Sequence, residues 1–402
     1  VKSREAAFVV LATGLAVSVS VSVGHAQGGE LPFGVTGYLQ NVPVWTNPGP
    51  FNPGGFSDFS RLRVMATPSY GDFTVQVAYE HALTLRENEA EQSSFVGRLP
   101  GGAEWLDLQW TLADTEHADW SHRFDRLAIG WTPASSLELT VGRQAVSWAT
   151  TLYLTPADPF APFDPADPFR EYRSGIDAAR FRIYPGPLSE IDFVVRPVRS
   201  ALGEEMTALG RGLTTWKGWE LSGWGGALHD DLAAAGGAAG SWGPFALRGE
   251  AVVRRSEDEG TIVRATFGLD RRFSIARRDL YLVFEYQHDG LGAGSPREYL
   301  EVLDSEPFLR GELQVLGRDE TAVQVSYQIH RLWSVAGLWL WNWNDRSALV
   351  APSFSYSASD EASVSGGLFV GIGESAGVDE RALSSEFGQV PVTAYFAVSL
   401  FF

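Results

Sequence analysis

Pro391-Val-Thr-Ala-Tyr-Phe-Ala-Val-Ser-Leu-Phe-Phe402 is the stretch whose alternation decides the fold. Val392, Ala394, Phe396, Val398, Leu400 and Phe402 fall on one face, and Thr393, Tyr395, Ala397, Ser399 and Phe401 on the other. The first face is wholly apolar; the second is mixed. A period of two held throughout the stretch is a strand, not a helix. One apolar and one mixed face suit a wall between lipid and a wet lumen.

Working outward, segments of about ten residues with one apolar face recur at 33–42, 58–67, 73–83, 105–113, 123–132, 137–148, 176–184, 188–197, 216–228, 232–242, 245–254, 261–273, 280–288, 321–329, 332–343, 348–357, 362–372 and 391–402. They predict an all-β chain: one antiparallel transmembrane β-barrel of about eighteen strands, with sixteen as the alternative. Short turns, such as 69–72 and 358–361, contrast with long connections at 44–57, 84–103, 149–174, 199–214, 290–318 and 373–390. Short turns at one end and long loops at the other are the outer-membrane pattern. With both ends of the chain on one side, the up–down order conflicts somewhere between residues 84 and 230. Either 105–113 belongs to a loop or a further strand lies near 199–214.

Composition agrees. The 402 residues include no Cys, 43 Gly and 14 Trp, and the formal net charge is −18. Disulfides therefore do not hold the fold. The acidic balance, with no Lys/Arg run to meet a phosphate backbone, argues against nucleic acid. Residues 1–26 read as a cleaved secretory signal: Lys2 and Arg4, an apolar stretch, then Gly24-His25-Ala26 before Gln27. The alternative is an N-terminal anchor helix. Beyond residue 26 no run of about 18 apolar residues occurs, and no composition shift divides 27–402, which reads as one barrel domain.

Two constellations could carry function. In the loop at 151–173, Asp158, Asp164 and Asp167 each precede Pro, interleaved with Phe160, Phe163 and Phe169 and followed by Glu171. Proline fixes φ and extends the residue before it, so this loop is stiff. One reading folds it into the barrel as a constriction bearing Asp158, Asp164, Asp167 and Glu171. The other makes it an external cap whose Phe residues pack on neighbouring loops. A calcium site is a third, though the glycine-turned spacing of a calcium loop is missing.

The second constellation is basic. Arg61, Arg63, Arg126, Arg180, Arg182, Arg196, Arg248 and Arg264 fall opposite the apolar faces, where only a lumen tolerates them. Glu80, Glu138, Glu190, Asp192, Glu250, Asp270, Glu285 and Glu320 accompany them. Either arginines face an acidic loop across a polarised pore, or the charges pair and plug the lumen. Trp105, Trp110, Trp131, Trp148, Trp216, Trp242, Trp333 and Trp343 lie near strand ends, as interfacial girdles do; cross-strand packing and sugar stacking are the alternatives. The local His–Asp pairs, His122 with Asp125 and His288 with Asp289, sit with no nucleophile motif. No metal-ligating cluster of His or Cys occurs and no cofactor is implied.

Gly142-Arg143-Gln144, Trp148, Asp158, Pro162, Arg170, Arg173, Gly175, Asp177 and Arg180 follow an order that resembles a porin-like outer-membrane group without settled function. Asn342-Trp-Asn-Asp-Arg-Ser-Ala-Leu-Val-Ala-Pro352 and Ser385-Glu-Phe-Gly388 resemble the same group. Arg143 departs from the alternation of its strand, which predicts a bulge or an upper-rim position. The final strand resembles the closing strand of Gram-negative outer-membrane barrels, in which a terminal aromatic, here Phe402, is read by the assembly machinery.

The expectation is a non-enzymatic porin in the cell outer membrane, passing small hydrophilic solutes. Its partners are then the lipid bilayer, the assembly machinery and the solutes; a homo-oligomer is left open. A closed structural or export barrel is the alternative, and a barrel-borne hydrolase a third.

Overall fold

The computed structural model describes residues 34–50, 52–87, 104–160, 172–200, 202–256, 260–375 and 383–402. Eighteen strands form one closed antiparallel ring. They begin with β1 (Val35–Thr46), β2 (Gly55–Ala66), β3 (Phe73–Arg86), the long β4 (Ala118–Ala134) and the short β5 (Leu137–Gln144). Next come β6 (Ile176–Gly186), β7 (Ser189–Ser200), β8 (Gly203–Trp216), β9 (Trp219–Leu228) and β10 (Asp231–Trp242). Then follow β11 (Phe245–Ser256), β12 (Gly260–Ile275) and β13 (Arg278–Asp289). After a long connection, β14 (Asp319–Gln328), β15 (Trp333–Asn342), β16 (Ala348–Ser359), β17 (Ala362–Ile372) and β18 (Thr393–Phe401) complete the wall. β18 closes on β1 with Tyr38 opposite Phe401 and Trp45 opposite Ala394. Gly37 N–H donates to the Phe402 carbonyl at 2.8 Å and Phe402 N–H to the Gly37 carbonyl at 3.0 Å.

Tight hairpins need backbone twisted to match the sheet, with positive φ at both central turn residues. Lys217-Gly218 (φ 51° and 80°), His229-Asp230 (49° and 67°) and Ala276-Arg277 (50° and 61°) adopt it.

Two expectations are corrected, and they offset each other. Residues 105–113 are not a wall strand: Gln109–Thr115 pairs with β4 alone, as an outrigger above β5. The interval 199–214, expected as a long connection, contains most of β8, paired on both sides. Its outward positions include Ala208, Gly210 and Gly212, too small to give an apolar stripe. With β8 in place the up–down order is consistent. The longest connections, after β3, β5, β13 and β17, share one end of the barrel.

Alternation sorts the faces. On β12, Val263 and Phe267 are exposed, whereas Arg264, Thr266 and Asp270 are buried inward. On β18, Phe396 and Leu400 face out, and Thr393, Ala397 and Ser399 face in. Trp131, Trp216, Trp242, Trp333 and Trp343 are exposed near strand ends, and the outer wall carries the apolar surface that lipid requires. Trp148 is a correction. It is 2 % exposed and lies inside the barrel, because β5 ends at Gln144 rather than at 148.

Candidate functional site

β5 ends where the backbone breaks the alternation. Gly142 has φ 119°, a conformation other residues rarely adopt, and a Cβ there would strike the Leu127 carbonyl and Ala128. Past this glycine the pairing keeps its register, and buried Arg143 binds Asp177, its partner across the strand pair, through Nε at 2.9 Å and Nη2 at 2.8 Å. The chain then leaves the wall and runs into the lumen.

Residues 145–160 lie on the inward face of the strands that follow. Glu250 on β11 accepts the N–H groups of Thr150 (2.7 Å), Thr151 (3.1 Å) and Ala157 (3.1 Å). Glu285 on β13 accepts those of Leu152 (2.6 Å), Tyr153 (2.9 Å) and Leu154 (2.9 Å). A carboxylate is acceptor-only and can take several N–H donors. The two glutamates therefore satisfy a run of loop backbone that has neither helix nor sheet to bond. Trp148 Nε1 donates to Asp192 at 2.9 Å, and Trp224 Nε1 to the Ala157 carbonyl at 3.0 Å. Val146, Trp148, Ala157 and Phe160 pack on Val194, Leu209, Trp224 and Val252. Across the ring, Leu154 joins Val315, Leu340, Leu349 and Phe369.

The wall beside the return leg is organised differently. Arg63 on β2 binds Glu80 on β3 and, at 2.7 Å, Asp125 on β4. Arg123 reaches Glu80 at 2.7 Å and Asp125 at 3.3 Å. A register shift where β3 meets β4 brings Arg126 beside Asp125 and under the Arg173 carbonyl. Arg61 bonds the Tyr38 hydroxyl and stacks on Phe59 at 4.8 Å. Tyr172 covers Arg63 at 4.8 Å. These guanidinium and carboxylate groups are almost fully buried, and such charges must be paired.

The remaining expected arginines also lie inward with partners. Arg180 binds Asp192 at 2.6 Å, Arg182 binds Glu138, Arg248 binds Asp270, and Arg264 binds Asp289 at 2.8 Å. Arg196 donates to the Phe160 carbonyl at 3.0 Å. It borders a cavity shared by Asp158, Arg254, Arg264, Arg310 and Glu312. Arg310 and Glu312 come from the β13–β14 connection and tie it to Glu205 and Arg254. His229, in the β9–β10 turn, bonds Glu205 at 2.8 Å. Burial holds its imidazole below the ordinary value, against the pull of Glu312 and Glu205.

Asp158 accepts from Ser147 at 2.8 Å and pairs with Arg173. Burial pushes its carboxyl above the usual range, against the pull of Arg173. Asp164, Asp167 and Glu171 lie outside the described residues. Phe402 is 57 % exposed and stands over Gly37 at the seam.

Sequence reasoning missed Arg123, Arg254 and Arg310, and it missed the role of Glu250 and Glu285 as loop acceptors. Even-spaced alternation with Arg248 and Glu250 on the same strand could have found Arg254, but the glutamates' partners are 93 to 133 residues distant in the chain. Neither His–Asp pair forms. His122 bonds Tyr79 at 2.9 Å while Asp125 faces the arginines. His288 bonds Asp319 while Asp289 turns to Arg264.

No family model matches the sequence, and no curated protein aligns with it. Solved structures do resemble the fold. Pseudomonas aeruginosa OpdK, crystallised with vanillate, superposes with TM-score 0.53 at 13 % identity, covering 92 % of this chain and 98 % of that one. Acinetobacter baumannii OccAB2 gives 0.56 at 9 % identity, over 92 % and 97 %. Pseudomonas aeruginosa OccK8 (OprE) gives 0.53 at 11 %, over 92 % and 97 %. The likeness is one of architecture: this chain has the eighteen-strand fold of outer-membrane porin barrels.

Proposed function

We propose that the chain forms a passive channel across the outer membrane for small hydrophilic solutes, narrowed by the loop at 145–175. The supporting observation is the docking of six loop N–H groups on Glu250 and Glu285. A loop bonded to the wall in this way sets a fixed width, whereas a loose one would not. On this reading Asp158, with Asp164, Asp167 and Glu171, forms the acidic side of the narrow zone, and the eight wall arginines, paired as they are, polarise it. Residues 1–26 are removed on export, and Phe402 is presented to the assembly machinery.

Single-channel conductance of the refolded barrel in planar bilayers tests this, with residues 156–170 intact or replaced by a short Gly/Ser linker. Steady openings that widen on replacement are expected. Unchanged openings would remove the loop from the constriction. Silence in both would replace the channel with a closed structural barrel, the reading that the self-paired wall charges favour.

A further inference from the structure

One hairpin runs against the acidic character of the chain. The β12–β13 hairpin carries Arg271, Arg272, Arg277 and Arg278 around a two-residue turn, in a protein of formal net charge −18. Asp270 is already taken by Arg248 and Tyr281. Arg272 faces inward over Tyr281 at 5.2 Å. Arg271 has the opposite parity: it shares the outward face with Phe267 and Ile275, both about half exposed. Arg278 pairs with Ile275 and so joins that face.

An outward arginine on a lipid-facing wall is costly unless its charge is met. Arg271 meets no carboxylate among the described residues. It is held between two rings, with Cζ 5.0 Å from the Phe245 centroid and 4.5 Å from that of Phe273. Its Nε is buried without a hydrogen-bond partner. Trp242, 73 % exposed, pairs with Phe245 and marks this level as the aromatic belt at the short-turn end of the barrel. A guanidinium flattened against two phenyl faces donates in its own plane, and that fork matches phosphate.

We propose that this face of the β12–β13 hairpin binds the phosphate of an anionic phospholipid, with Arg271 clamped by Phe245 and Phe273 as the receptor and Arg278 as the second cation. The proposal rests on the outer-membrane reading, which puts the short turns on the phospholipid side. The charge is met by the headgroup and the flanking rings meet the acyl chains, so the wall is not left with a bare cation at its edge.

The test uses the full barrel in mixed micelles of phosphatidylglycerol and phosphatidylcholine, with bound lipid counted by native mass spectrometry. A retained phosphatidylglycerol is expected in the parent. Arg271→Gln should lower its affinity about fivefold, and Arg278→Gln somewhat less. Phe245→Leu with Phe273→Leu keeps the charge and should still weaken retention. Arg277→Gln, at the turn tip, should leave it unchanged. Equal retention of both lipids, or equal loss from Arg277→Gln and Arg271→Gln, would overturn the site in favour of diffuse attraction. Conductance on the same preparations separates the two proposals. A conducting barrel without lipid preference refutes only the lipid site, and a silent one that retains the lipid refutes only the channel.

Discussion

Two parts of the inner wall solve the same problem in opposite ways. On β2–β4, buried carboxylates meet buried guanidinium groups: Glu80 and Asp125 are shared among Arg63, Arg123 and Arg126. On β11 and β13, Glu250 and Glu285 instead take backbone N–H groups from the inserted loop. In the first the charges pair within the wall, and the loop adds one N–H, from Gly175 to Asp125 at 3.0 Å, and the Tyr172 ring over Arg63. The second is incomplete until the loop arrives. Inward acids of similar appearance in sequence therefore do different work: one set neutralises, the other docks.

Breaking the wall's own ion pairs should cost most. Arg63→Ala leaves Glu80 and Asp125 short of a partner in a buried site, and losing one member of such a pair costs about 3–5 kcal/mol. Urea unfolding in detergent would read it. A loss well under 1 kcal/mol would mean that water reaches this cluster and that the contrast between the walls is false.

Removing a docking acid should cost less and act elsewhere. Glu285→Ala strands three N–H donors, each buried donor costing about 1–3 kcal/mol unless solvent replaces the bond. Since the lumen is wet once the loop moves, the lower end is expected for the barrel as a whole. The signature should be in the current, with larger and noisier openings. A stability loss as large as that of Arg63→Ala, with quiet current, would show that Glu285 belongs to the wall rather than to the loop.

The smallest effect concerns a third place, where polarity is reversed. Here a loop supplies the carboxylate: Glu386 accepts from Leu316 N–H at 2.7 Å, Gly317 N–H at 3.1 Å and Asn342 Nδ2 at 2.7 Å. Burial pushes its carboxyl above the ordinary glutamate range, while hydrogen bonds pull it down. A raised folded value favours the protonated form. Its contribution to stability is therefore present below the unfolded value and lost as pH rises through the folded one. Protection of the amides at 383–390, taken relative to their free-peptide exchange rates at each pH, should fall modestly over that window, and Glu386→Gln should flatten the dependence. A loss of protection on acidification would give the opposite sign and refute the assignment.

The barrel was legible because alternation is local: Pro391 to Phe402 carries its two faces without help from elsewhere. The inward arginines were legible for the same reason, since parity places a long cation in the lumen wherever its neighbours face lipid. β8 was obscured because Ala208, Gly210 and Gly212 present almost no side chain to the lipid. Trp148 was misplaced because the strand ends at Gln144, two residues past the positive-φ Gly142, and the chain then leaves the wall, so alternation no longer applies at 148. The sequence could offer either a constricting or a capping loop at 151–173, but the choice of docking acids lies in contacts between residues about 100 to 133 positions apart. The motifs at 342–352 and 385–388 converge on one clasp, where Asn342 and Glu386 bond and Phe387 N–H donates to Ser347. Their spacing in the chain gave no hint of it.

The seam between β1 and β18 has a kinetic consequence. Gln40 and Ser399, hydrogen-bonded at 3.2 Å, are separated by 359 residues. Loop-closure entropy grows only logarithmically, about 0.6 kcal/mol for each doubling of length, so this distance is thermodynamically tolerable. It is slow to find, because the most non-local contacts must form before the ring is whole. Until then the nascent sheet has two bare edges, each a template for any passing strand. The interval before closure is thus when this protein is most exposed to mispairing.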